Sequence, residues 1–591
     1  MEDHVIKVLT NRIASYGSRE VIRFREKTKR SLSWNELGGQ VEKVMNALHL
    51  LGCREGDNVG IFSPNRAEWI IADLGIMANR CVTVPMYATS SEDQLKYILE
   101  ETNIKVLFAG KQEQLDAIKT LPDEISSLEK IVVFDECSID DERILTYDEF
   151  LGLSASYDQS LSLDDRLNEY RSDDTATIIY SSGTTGEPKG IVLKHHHFVF
   201  AFRIHDQRLE ITEQDVSMSF LPLSHVFERM WTHLMLHSGA VCVFLENPRE
   251  VMDALATVKP SLMCTVPRFF DKTYQGIQSE VASWPSVKRK IFQWAMNSGL
   301  KATAYKSRSA GIPLVLKGKL AIAEALVFKK LRDVFGGNIR IMPCAGATLN
   351  TEMLKFFHAM GLFVLYGYGL TETTASVSCF CSDQFKYGTC GSVMPEVEVK
   401  IGDNNEILVR GGNVFSGYYK NEKATDAVMT DGWFHTGDEG RLDEDGNLIM
   451  IDRIKDLIKS SVGKYVSPQK IELLLGEEDV FEQVVVIGDD RPYMTALIVP
   501  EMSKLKALAE SHDIPVENDN ELINSNKLRL ILQQRLEKRQ SRLPSYERVV
   551  RFTLLNEPFS MEEGTMTNTL KLRRKKIQEK YSNLIEAMYR T

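Results

Sequence analysis

The stretch from Thr177 to Leu193 constrains the fold of this chain more than any other. Two apolar, β-branched runs flank a loop that holds three glycines, four hydroxyl side chains and one lysine. A strand enters this loop and another leaves it, so the pattern predicts a tight strand-to-strand connection. Inward-turned N–H groups, hydroxyls and a lysine together suit a polyphosphate. The predicted contacts are Ser181, Ser182, Gly183, Thr184, Thr185, Gly186 and Lys189.

The loop by itself leaves a second interpretation open. The G-x-x-x-x-G-K-[ST] spacing of the common nucleotide-binding loop is absent. An ordinary hairpin turn rich in Gly, Ser and Thr would have the same composition. The rest of the chain is therefore needed to choose between the two interpretations.

Four further motifs follow the loop in a fixed order. They are Tyr366–Thr374, Asp431–Asp438, Asp452–Lys459 and Thr567–Leu572. In this order and spacing the chain resembles the adenylate-forming superfamily of acyl-CoA synthetases, peptide-synthetase adenylation domains and luciferases. Within that superfamily it is most similar to bacterial long-chain fatty acid–CoA ligases, from about Leu32 to about Ile577.

The length and the order of predicted elements indicate an α/β protein with more than one domain. A chain of 591 residues exceeds what one hydrophobic core usually serves. Predicted strands and helices alternate from Val21 to about Ala109, which favours a largely parallel sheet covered by helices on both faces. The chain becomes helical and basic between Phe269 and Val334, and short strands follow Pro395.

The resemblance implies how these elements are divided between domains. It predicts a large N-terminal domain of α/β subdomains over residues 1–454, with a helical insert at about 270–334 and a small β-rich subdomain at about 396–451. A mobile α+β domain follows over residues 455–591 and rotates about a hinge at Lys455. Smaller members of the superfamily lack such an insert, whereas long-chain ligases have one.

Composition argues against several classes of protein. A net charge of −11 and a pI near 5.7 argue against a nucleic-acid-binding protein. The nine cysteines form no C-x-x-C pair, so neither a zinc site nor a disulfide framework is expected. No apolar run approaches the ~20 residues of a membrane-spanning helix. We therefore expect a cytoplasmic protein, and leave open peripheral contact with the inner face of a membrane. His195–His197 is interpreted as surface at a loop or helix entry, not as a metal site.

Joining a carboxylate to a thiol requires activation, because a carboxylate is a poor electrophile. Its attack on the α-phosphorus of ATP brings two anions together, which at 4 Å costs about 1 kcal/mol in water and about 4 kcal/mol at an effective dielectric of 20. The site must therefore concentrate positive charge and donors. The resemblance implies that Lys571 contacts the carboxylate and the α-phosphate, that Thr371 bonds the α-phosphate, and that Glu372 holds Mg²⁺.

The resemblance also implies how the nucleoside is held. Tyr368 is expected to stack on adenine, Asp438 to accept hydrogen bonds from both ribose hydroxyls, and Arg453 to make a second ribose contact. Residues 344–348 resemble the segment at the adenine edge, but the usual Ser-Gly-Gly reads Cys-Ala-Gly here, so only backbone roles carry over. The remaining predicted nucleotide contacts are Gly346, Ala347, Tyr366, Gly367 and Gly369.

His225 resembles the histidine of the superfamily that lies near the substrate carboxylate, and we include it among the catalytic candidates. A lone histidine is more often structural, so that alternative stays open. Phe227, Arg229 and Trp231 follow it closely, and their spacing does not decide which of them gates an acyl tunnel.

The second step requires a thiol to attack the adenylate carbonyl after pyrophosphate has left. The superfamily achieves this by rotating the C-terminal domain about the hinge. The resemblance then implies that Lys459, Ser461 and Gly463 line the passage for coenzyme A. Glycine suits this position because a side chain would fill a narrow passage.

A fatty acid fits as the substrate, because each buried methylene contributes about 0.8 kcal/mol. The expected substrates are a long-chain fatty acid, ATP and CoA, and neither nucleic acid nor an obligatory protein partner is expected. One methylene discriminates by only ~1–3 kcal/mol, so a medium-chain preference stays open. Further alternatives are a fatty acyl-AMP ligase that loads a carrier protein, a luciferase-like oxidative enzyme and an inactive nucleotide-binding protein.

Overall fold

The predicted hairpin lies at the edge of a seven-stranded sheet. The computed structural model describes residues 2–24, 30–137, 141–156, 161–181, 188–382, 384–459, 465–515, 518–561, 563–567 and 571–590. In spatial order the strands of this sheet are Ile144–Thr146, Lys130–Val133, Val106–Ala109, Asn58–Phe62, Val82–Met86, Thr175–Ser181 and Lys189–Lys194. Neighbouring strands run parallel except the last two, which are antiparallel and pair Ser181 with Lys189. The strand-to-strand connection and the largely parallel sheet are therefore confirmed.

Two four-stranded sheets are linked through Leu262, which bridges in parallel to Ser217 of one sheet and to Ile341 of the other. The strands of the first sheet are Val216–Ser219, Val241–Phe244, Glu20–Arg23 and Ser31–Ser33. Those of the second are Ile341–Cys344, Phe363–Tyr368, Ser378–Cys379 and Ser392–Val393. The second sheet carries the Tyr366–Thr374 motif, so its strand ends help to form the site described below.

Short antiparallel strands follow Pro395, and a separate small sheet lies near the C-terminus. The first group comprises Glu398–Ile401, Glu406–Arg410, Trp433–Leu442, Met429–Thr430 and Leu448–Arg453. The C-terminal sheet comprises Phe481–Ile487, Met494–Pro500 and Val549–Leu554, and Ile458–Lys459 pairs with Tyr465–Val466. Two buried apolar clusters lie within residues 5–448 and two more within residues 458–588, so the C-terminal region has a core of its own.

Local sequence signals determine where helices begin, as the helix Trp34–Leu50 illustrates. The Ser33 hydroxyl accepts a hydrogen bond from the Glu36 N–H, and the Glu36 carboxylate accepts one from the Ser33 N–H, so the helix Trp34–Leu50 begins with a capping box. The α-helices in the described ranges are Val5–Tyr16, Trp34–Leu50, Ala67–Ala78, Glu92–Thr102, Gln112–Ile118, Leu121–Glu124, Tyr147–Leu153, His195–Asp206, Val226–Ser238, Val251–Val258, Pro267–Ser283, Ser286–Lys306, Leu314–Ala323, Lys329–Asp333, Thr351–Ala359, Glu422–Asp426, Pro468–Leu475, Met502–Glu510, Asp519–Asn524, Asn526–Arg539, Arg574–Lys580 and Ser582–Tyr589. Among the described residues, no helix has both the length and the apolar character needed to cross a bilayer.

The three consecutive histidines begin the helix His195–Asp206, but they are not a surface feature. His195 and His197 are buried, and the His195 ring stacks on His4 with centroids 3.5 Å apart. The interpretation of this run as surface is therefore wrong for two of its three members. Burial lowers the pKa of His197 to about 3, so this imidazole is neutral at pH 7 and can be buried without a counter-ion.

A charged cluster lies inside the N-terminal core. The Arg229 guanidinium donates to Asp73 Oδ2 at 3.0 Å and to Thr177 Oγ1 at 2.6 Å, and His233 Nε2 lies 2.9 Å from Asp73 Oδ2. Asp73 and Arg229 are both fully buried. Burial alone would raise the pKa of Asp73, but the charge of Arg229 and the hydrogen bond from His233 lower it below its usual range. This cluster ties the helix Val226–Ser238 to the central sheet through Thr177.

We expect Asp73→Ala to destabilise the protein by about 3–5 kcal/mol, because Arg229 would remain as a buried and unpaired cation. Urea unfolding followed by tryptophan fluorescence measures this, and the Trp69 ring lies 5.5 Å from the Arg229 guanidinium carbon. Glu398→Ala removes an exposed partner of Arg410 and should cost less than about 1 kcal/mol. Equal small losses in the two variants would contradict the role of the cluster.

Candidate functional site

A cleft of about 2930 Å³ lies between the strand ends of the N-terminal sheets and the C-terminal region. The end of the strand Thr175–Ser181, the turn after Phe363–Tyr368 and the strand Trp433–Leu442 contribute to its walls. Lys571 enters from the C-terminal region. The cleft therefore brings together four segments that are separate in the sequence, with 70 positions between Tyr368 and Asp438.

Asp438 is the most buried acid of the cleft, with 2 % of its surface exposed. It faces Arg453 across the pair of strands Trp433–Leu442 and Leu448–Arg453. The Tyr368 hydroxyl donates to Asp438 Oδ2 at 2.6 Å, and Arg453 Nε lies 3.4 Å from Oδ1. Burial raises the pKa of Asp438, and Arg453 opposes this rise. Because Oδ1 makes no hydrogen bond to any described residue, it has acceptor capacity for ligand hydroxyls.

Glu372 lies in a short 3₁₀ turn, Thr371–Thr373, directly after the strand Phe363–Tyr368. The Tyr418 hydroxyl donates to Glu372 Oε1 at 3.0 Å, and the Phe415 N–H donates to the Glu372 carbonyl at 2.8 Å. Burial raises the pKa of Glu372, and the hydrogen bond from Tyr418 lowers it in part. Thr371 and Glu372 both line the cleft, as the sequence motif predicts.

Tyr418 was not predicted as a site residue, although it connects two predicted ones. Its ring lies 4.9 Å from the Lys189 Nζ, in a cation–π contact, while its hydroxyl holds Glu372. Its backbone pairs with Ile191 of the hairpin. In the sequence Tyr418 lies in a Gly-Tyr-Tyr run without a recognisable spacing to the other motifs, so its role depends on the tertiary fold.

Lys571 extends into the cleft towards charged groups of the N-terminal region. Its own segment is held by two hydrogen bonds, one from the Thr567 N–H to the Lys571 carbonyl at 2.8 Å and one from the Lys571 N–H to Thr567 Oγ1 at 3.1 Å. The side chain is open to the cleft, yet the surrounding protein desolvates it. This desolvation and the positive charge of Arg453 lower the pKa of Lys571, against the attraction of Asp438 and Glu372.

His225 caps the helix Val226–Ser238 and lines the cleft. Its Nδ1 accepts a hydrogen bond from the Phe227 N–H at 3.2 Å. Burial, and then the positive charge of Lys571, lower the pKa of His225 to about 4, so the imidazole is neutral at pH 7. A neutral ring with one nitrogen occupied by the cap leaves the other nitrogen available to a ligand.

Of the three candidates for an acyl gate, Phe227 is the one that lines the cleft. It also lines a small adjoining cavity of about 40 Å³. Arg229 is fully buried in its pair with Asp73, and the Trp231 indole N–H donates to the Ser217 hydroxyl at 3.0 Å. Arg229 is therefore a structural residue, and it does not line the cleft.

Close backbone packing surrounds the predicted adenine segment. Gly346 has φ +90°, and an added Cβ at Gly369 would lie 2.3 Å from the Ala375 carbonyl carbon. At Gly367 it would lie 2.8 Å from the Ser378 carbonyl oxygen. Glycine is therefore required at the last two positions. Gly346, Ala347, Tyr366, Gly367, Tyr368 and Gly369 all line the cleft.

The predicted phosphate loop and the predicted coenzyme A passage lie only partly within the described residues. Ser181 lines the cleft, whereas Ser182, Gly183, Thr184, Thr185 and Gly186 lie outside the described residues. Lys455 lies in the turn Ile454–Asp456 and lines the cleft, and Lys459 is exposed in the strand Ile458–Lys459. Ser461 and Gly463 also lie outside the described residues.

Apolar residues line one part of the cleft, which we call the apolar arm. They come from the segment 220–227, from the helix Pro267–Ser283 and its flanking residues, and from the turn that follows the helix Leu314–Ala323. The apolar residues of this arm are Phe220, Leu221, Val226, Phe227, Val266, Phe269, Ile277, Val281, Trp284, Val327 and Leu331. The arm therefore suits the hydrocarbon part of a ligand whose polar end reaches Lys571.

Polar contacts join the C-terminal region to the cleft wall. Asn350 Nδ2 donates to Glu477 Oε1 at 2.6 Å, and the Thr348 hydroxyl donates to Gln469 Oε1 at 3.5 Å. Arg268 lies 3.7 Å from Glu482. Solvated polar contacts of this kind contribute little each and can be exchanged for water.

Sequence comparison groups this chain with enzymes that bind AMP. A family described as AMP-binding enzyme matches residues 9–419, and one described as AMP-binding enzyme C-terminal domain matches residues 455–591. The long-chain-fatty-acid–CoA ligase FadD15 of Mycobacterium bovis is 34 % identical over 559 residues, which cover 94 % of this chain and 91 % of the relative. The peroxisomal long chain acyl-CoA synthetase 7 of Arabidopsis thaliana is 30 % identical, with 94 % and 81 % coverage.

Solved structures share the fold at lower sequence identity. The anthranilate CoA ligase AuaEII, in complex with anthranoyl-AMP, has a TM-score of 0.75 at 19 % identity, covering 99 % of this chain and 98 % of its own. The adenylation domain of a carboxylate reductase from Mycobacterium chelonae has a TM-score of 0.78 at 22 % identity, with 99 % and 91 % coverage. The predicted α/β class, with a large N-terminal domain and a separate C-terminal domain, is confirmed.

If Glu372 holds Mg²⁺, as the resemblance implies, Tyr418→Phe should weaken Mg²⁺–ATP binding at least about tenfold, because a hydrogen bond to a charged group contributes about 1.5–3 kcal/mol. The pKa of Glu372 is already raised by burial, and loss of the Tyr418 hydroxyl raises it further. The charged carboxylate is lost as the pH falls through this pKa, so binding should fail at a higher pH than in the unchanged protein. Calorimetric titrations over a pH series measure both effects.

Tyr419→Phe provides the matched control for this prediction. Its hydroxyl accepts a hydrogen bond from Asn58 Nδ2 at 3.3 Å and makes no hydrogen bond to Glu372. This variant should keep both the affinity and the pH dependence. An identical pH profile in Tyr418→Phe and Tyr419→Phe would rule out the proposed effect on Glu372.

Proposed function

We propose that this chain, which belongs to the family of AMP-binding enzymes, is a long-chain fatty acid–CoA ligase. It forms an acyl-adenylate from ATP and a fatty acid, then transfers the acyl group to CoA, releasing pyrophosphate and AMP. One observation carries the proposal: Lys571, Glu372, Asp438 and Arg453 lie around a single cleft that continues into an apolar arm. Relatives at 34 % and 30 % identity are named as long-chain ligases or synthetases.

In the first step a carboxylate oxygen attacks the α-phosphorus, and the bond to pyrophosphate breaks. Lys571 lies where it can offset the repulsion between the two anions. Asp438 Oδ1, which accepts no hydrogen bond from a described residue, accepts hydrogen bonds from the ribose hydroxyls. The positive charge of Arg453 lies close to the same oxygen. Thr371 contacts the α-phosphate, Tyr368 stacks on adenine, and Lys189 with Ser181–Gly186 covers the outer phosphates. The neutral imidazole of His225 can approach the carboxylate or its adenylate without adding charge.

Glu372 fits a magnesium ion shared with the nucleotide. Its buried carboxylate is held from one side by Tyr418 and lines the cleft on the other. No three His, Cys, Asp or Glu side chains come together as a metal cage within the part of the chain that the structure describes. Magnesium usually takes one or two carboxylates together with substrate phosphates, so this donor set is sufficient. When bound, the ion would offset phosphate charge.

The second step needs the thiol of CoA to attack the adenylate carbonyl carbon, with AMP as the leaving group. Lys571 occupies the cleft in the present arrangement and has to withdraw from it. We infer a division into residues 1–454 and 455–591, with rotation about Lys455 that brings Lys459, Ser461 and Gly463 to the passage of CoA. The polar contacts across the domain interface support this rotation, and so does the start of the C-terminal family match at residue 455.

The apolar arm supports a long acyl chain over a medium one, since the helical insert forms one of its walls. We place the enzyme in the cytoplasm, with peripheral access to the inner face of a membrane, and without a required protein partner. A fatty acyl-AMP ligase would stop at the adenylate or pass it to a carrier protein, so it is distinguished by its products.

The test incubates the protein with ATP, Mg²⁺, CoA and a panel of acids of different chain length, followed by mass detection of products. A long-chain ligase gives acyl-CoA, AMP and pyrophosphate. Acyl-adenylate without acyl-CoA would indicate the acyl-AMP ligase, and a maximum at medium chains would correct the chain length. No AMP with any acid would refute the proposal.

Two substitutions should separate the half-reactions. Lys571→Ala removes the cation of the first step and should slow adenylation by about 10²–10³-fold, while transfer from added acyl-adenylate to CoA persists. Gly463→Leu should have the reverse effect, because its side chain fills the passage. Pyrophosphate exchange and thioester formation, assayed separately, measure the two steps.

The control is Lys576→Ala, which removes an exposed lysine of the same C-terminal segment that pairs with Glu579. Both half-reactions should proceed normally in this variant. Loss of both half-reactions in both Lys571→Ala and Gly463→Leu would contradict the two-step assignment.

A further inference from the structure

The helical insert exposes large apolar side chains to solvent. Leu314 is 84 % exposed, Val315 75 %, Ile322 55 % and Leu326 53 %. They lie on the helix Leu314–Ala323 and on the π-helical turn that continues it. Exposed apolar residues clustered on one element indicate an interaction surface more strongly than scattered ones.

The opposite face of the same element is packed into the protein. Leu316, Ala323, Val327 and Leu331 are buried, at helical spacing from one another. Val315, Ile322 and Leu326 therefore do not belong to the apolar stripe that packs into the protein. The element has two apolar faces, and one of them has no described residue covering it.

The same surface is strongly basic. Residues 284–334 contain eleven Lys or Arg and two acidic residues, a net charge of +9 in a chain whose net charge is −11. The basic residues are Lys288, Arg289, Lys290, Lys301, Lys306, Arg308, Lys317, Lys319, Lys329, Lys330 and Arg332. Arg332 pairs with Glu324, while the other ten are exposed and form no ion pair with a described residue. Positive charge is thus concentrated beside exposed apolar groups.

Four residues of this surface also line the cleft, and we call them the rim of the apolar arm. Leu326 and Lys330 line the cleft from the end of the exposed face, and Ile291 and Lys288 line it from the neighbouring helix Ser286–Lys306. The Lys288 Nζ lies 3.5 Å from the Trp284 ring centroid, so a cation and an aromatic ring stand together at the rim. Residues of this surface and residues of the apolar arm therefore line the same cleft.

We propose that this face, from Leu314 to Lys330 together with the start of the helix Ser286–Lys306, docks the enzyme on an anionic lipid bilayer. The apolar side chains enter the interface, and the lysines contact acidic headgroups, as in helices that lie in the plane of a membrane. The rim of the arm then faces the bilayer, so that a fatty acid moves from lipid into the cleft without crossing water. The inference rests on the proposed function for its substrate.

A bilayer fits the observations better than other partners. A nucleic acid would match the charge but not the exposed Leu314, Val315 and Ile322. A second copy of this chain would have to present a strongly negative and apolar face to a surface of net +9. A bilayer supplies apolar depth and negative charge together, and it is also where a long-chain fatty acid partitions.

The test measures sedimentation with vesicles of phosphatidylcholine, with and without about one third phosphatidylglycerol. The unchanged protein should bind the anionic vesicles and lose at least about tenfold in affinity when salt is raised, since screening weakens surface charge. Val315→Gln with Ile322→Gln, and separately Lys317→Glu with Lys319→Glu, should each weaken binding at least about tenfold. None of these four residues lines the cleft as described.

Matched controls lie on the C-terminal helix Asn526–Arg539. Leu530 is 66 % exposed, and Lys527 and Lys538 are exposed. Leu530→Gln, and Lys527→Glu with Lys538→Glu, should leave vesicle binding unchanged. Equal binding by controls and surface variants, or equal binding to neutral and anionic vesicles, overturns the proposal.

Activity separates this inference from the proposed function. Surface variants should convert palmitate delivered on cyclodextrin at the normal rate and palmitate held in anionic vesicles at least about fivefold more slowly. If the unchanged protein makes no palmitoyl-CoA from either source, the ligase proposal fails, while vesicle binding still tests the surface. A wild-type dimer that the surface substitutions dissociate, without vesicle binding, would overturn the inference in favour of a second copy.

Discussion

The site depends on bringing a desolvated cation from one part of the chain to acids held by another. Lys571 approaches Asp438 and Glu372 only because the C-terminal region rests against the cleft, and that region has its own hydrophobic core. Polar contacts help to hold it there, such as that of Asn350 with Glu477. The Lys571 ammonium can therefore be positioned in the cleft and still be withdrawn from it.

Two tyrosines hold the acidic side chains of the cleft in position through hydrogen bonds. Tyr368 holds Asp438 and Tyr418 holds Glu372, each through a hydroxyl that donates to one carboxylate oxygen. Burial raises the pKa of both acids and so disfavours their charged forms, whereas a ligand or cation that supplies partners would favour those forms again. The fold thus prepares two acceptors at fixed positions and leaves part of their bonding capacity for the nucleotide and its counter-ion.

The helix Leu314–Ala323 and its continuation contact both the protein interior and the solvent. Its inner residues, such as Val327 and Leu331, wall the apolar arm, while its outer face combines Ile322 with lysines. Both faces belong to one helix and its continuation, so residues of the apolar arm and of the basic surface share one structural element. A chain of net negative charge thereby carries a positive segment beside the apolar arm.

The sequence by itself determined the hairpin ending at Ser181 and Lys189, the helix cap at Ser33, the parallel sheet and, through its motifs, which residues to examine. These features depend on neighbours within a few positions, where propensity and spacing act directly. Only the tertiary structure decided that Tyr418 supports Glu372, that Arg229 is sealed against Asp73 and that His195 is buried. Those contacts join residues 46 and 156 positions apart in the first two cases, and no local pattern encodes a partner at that distance.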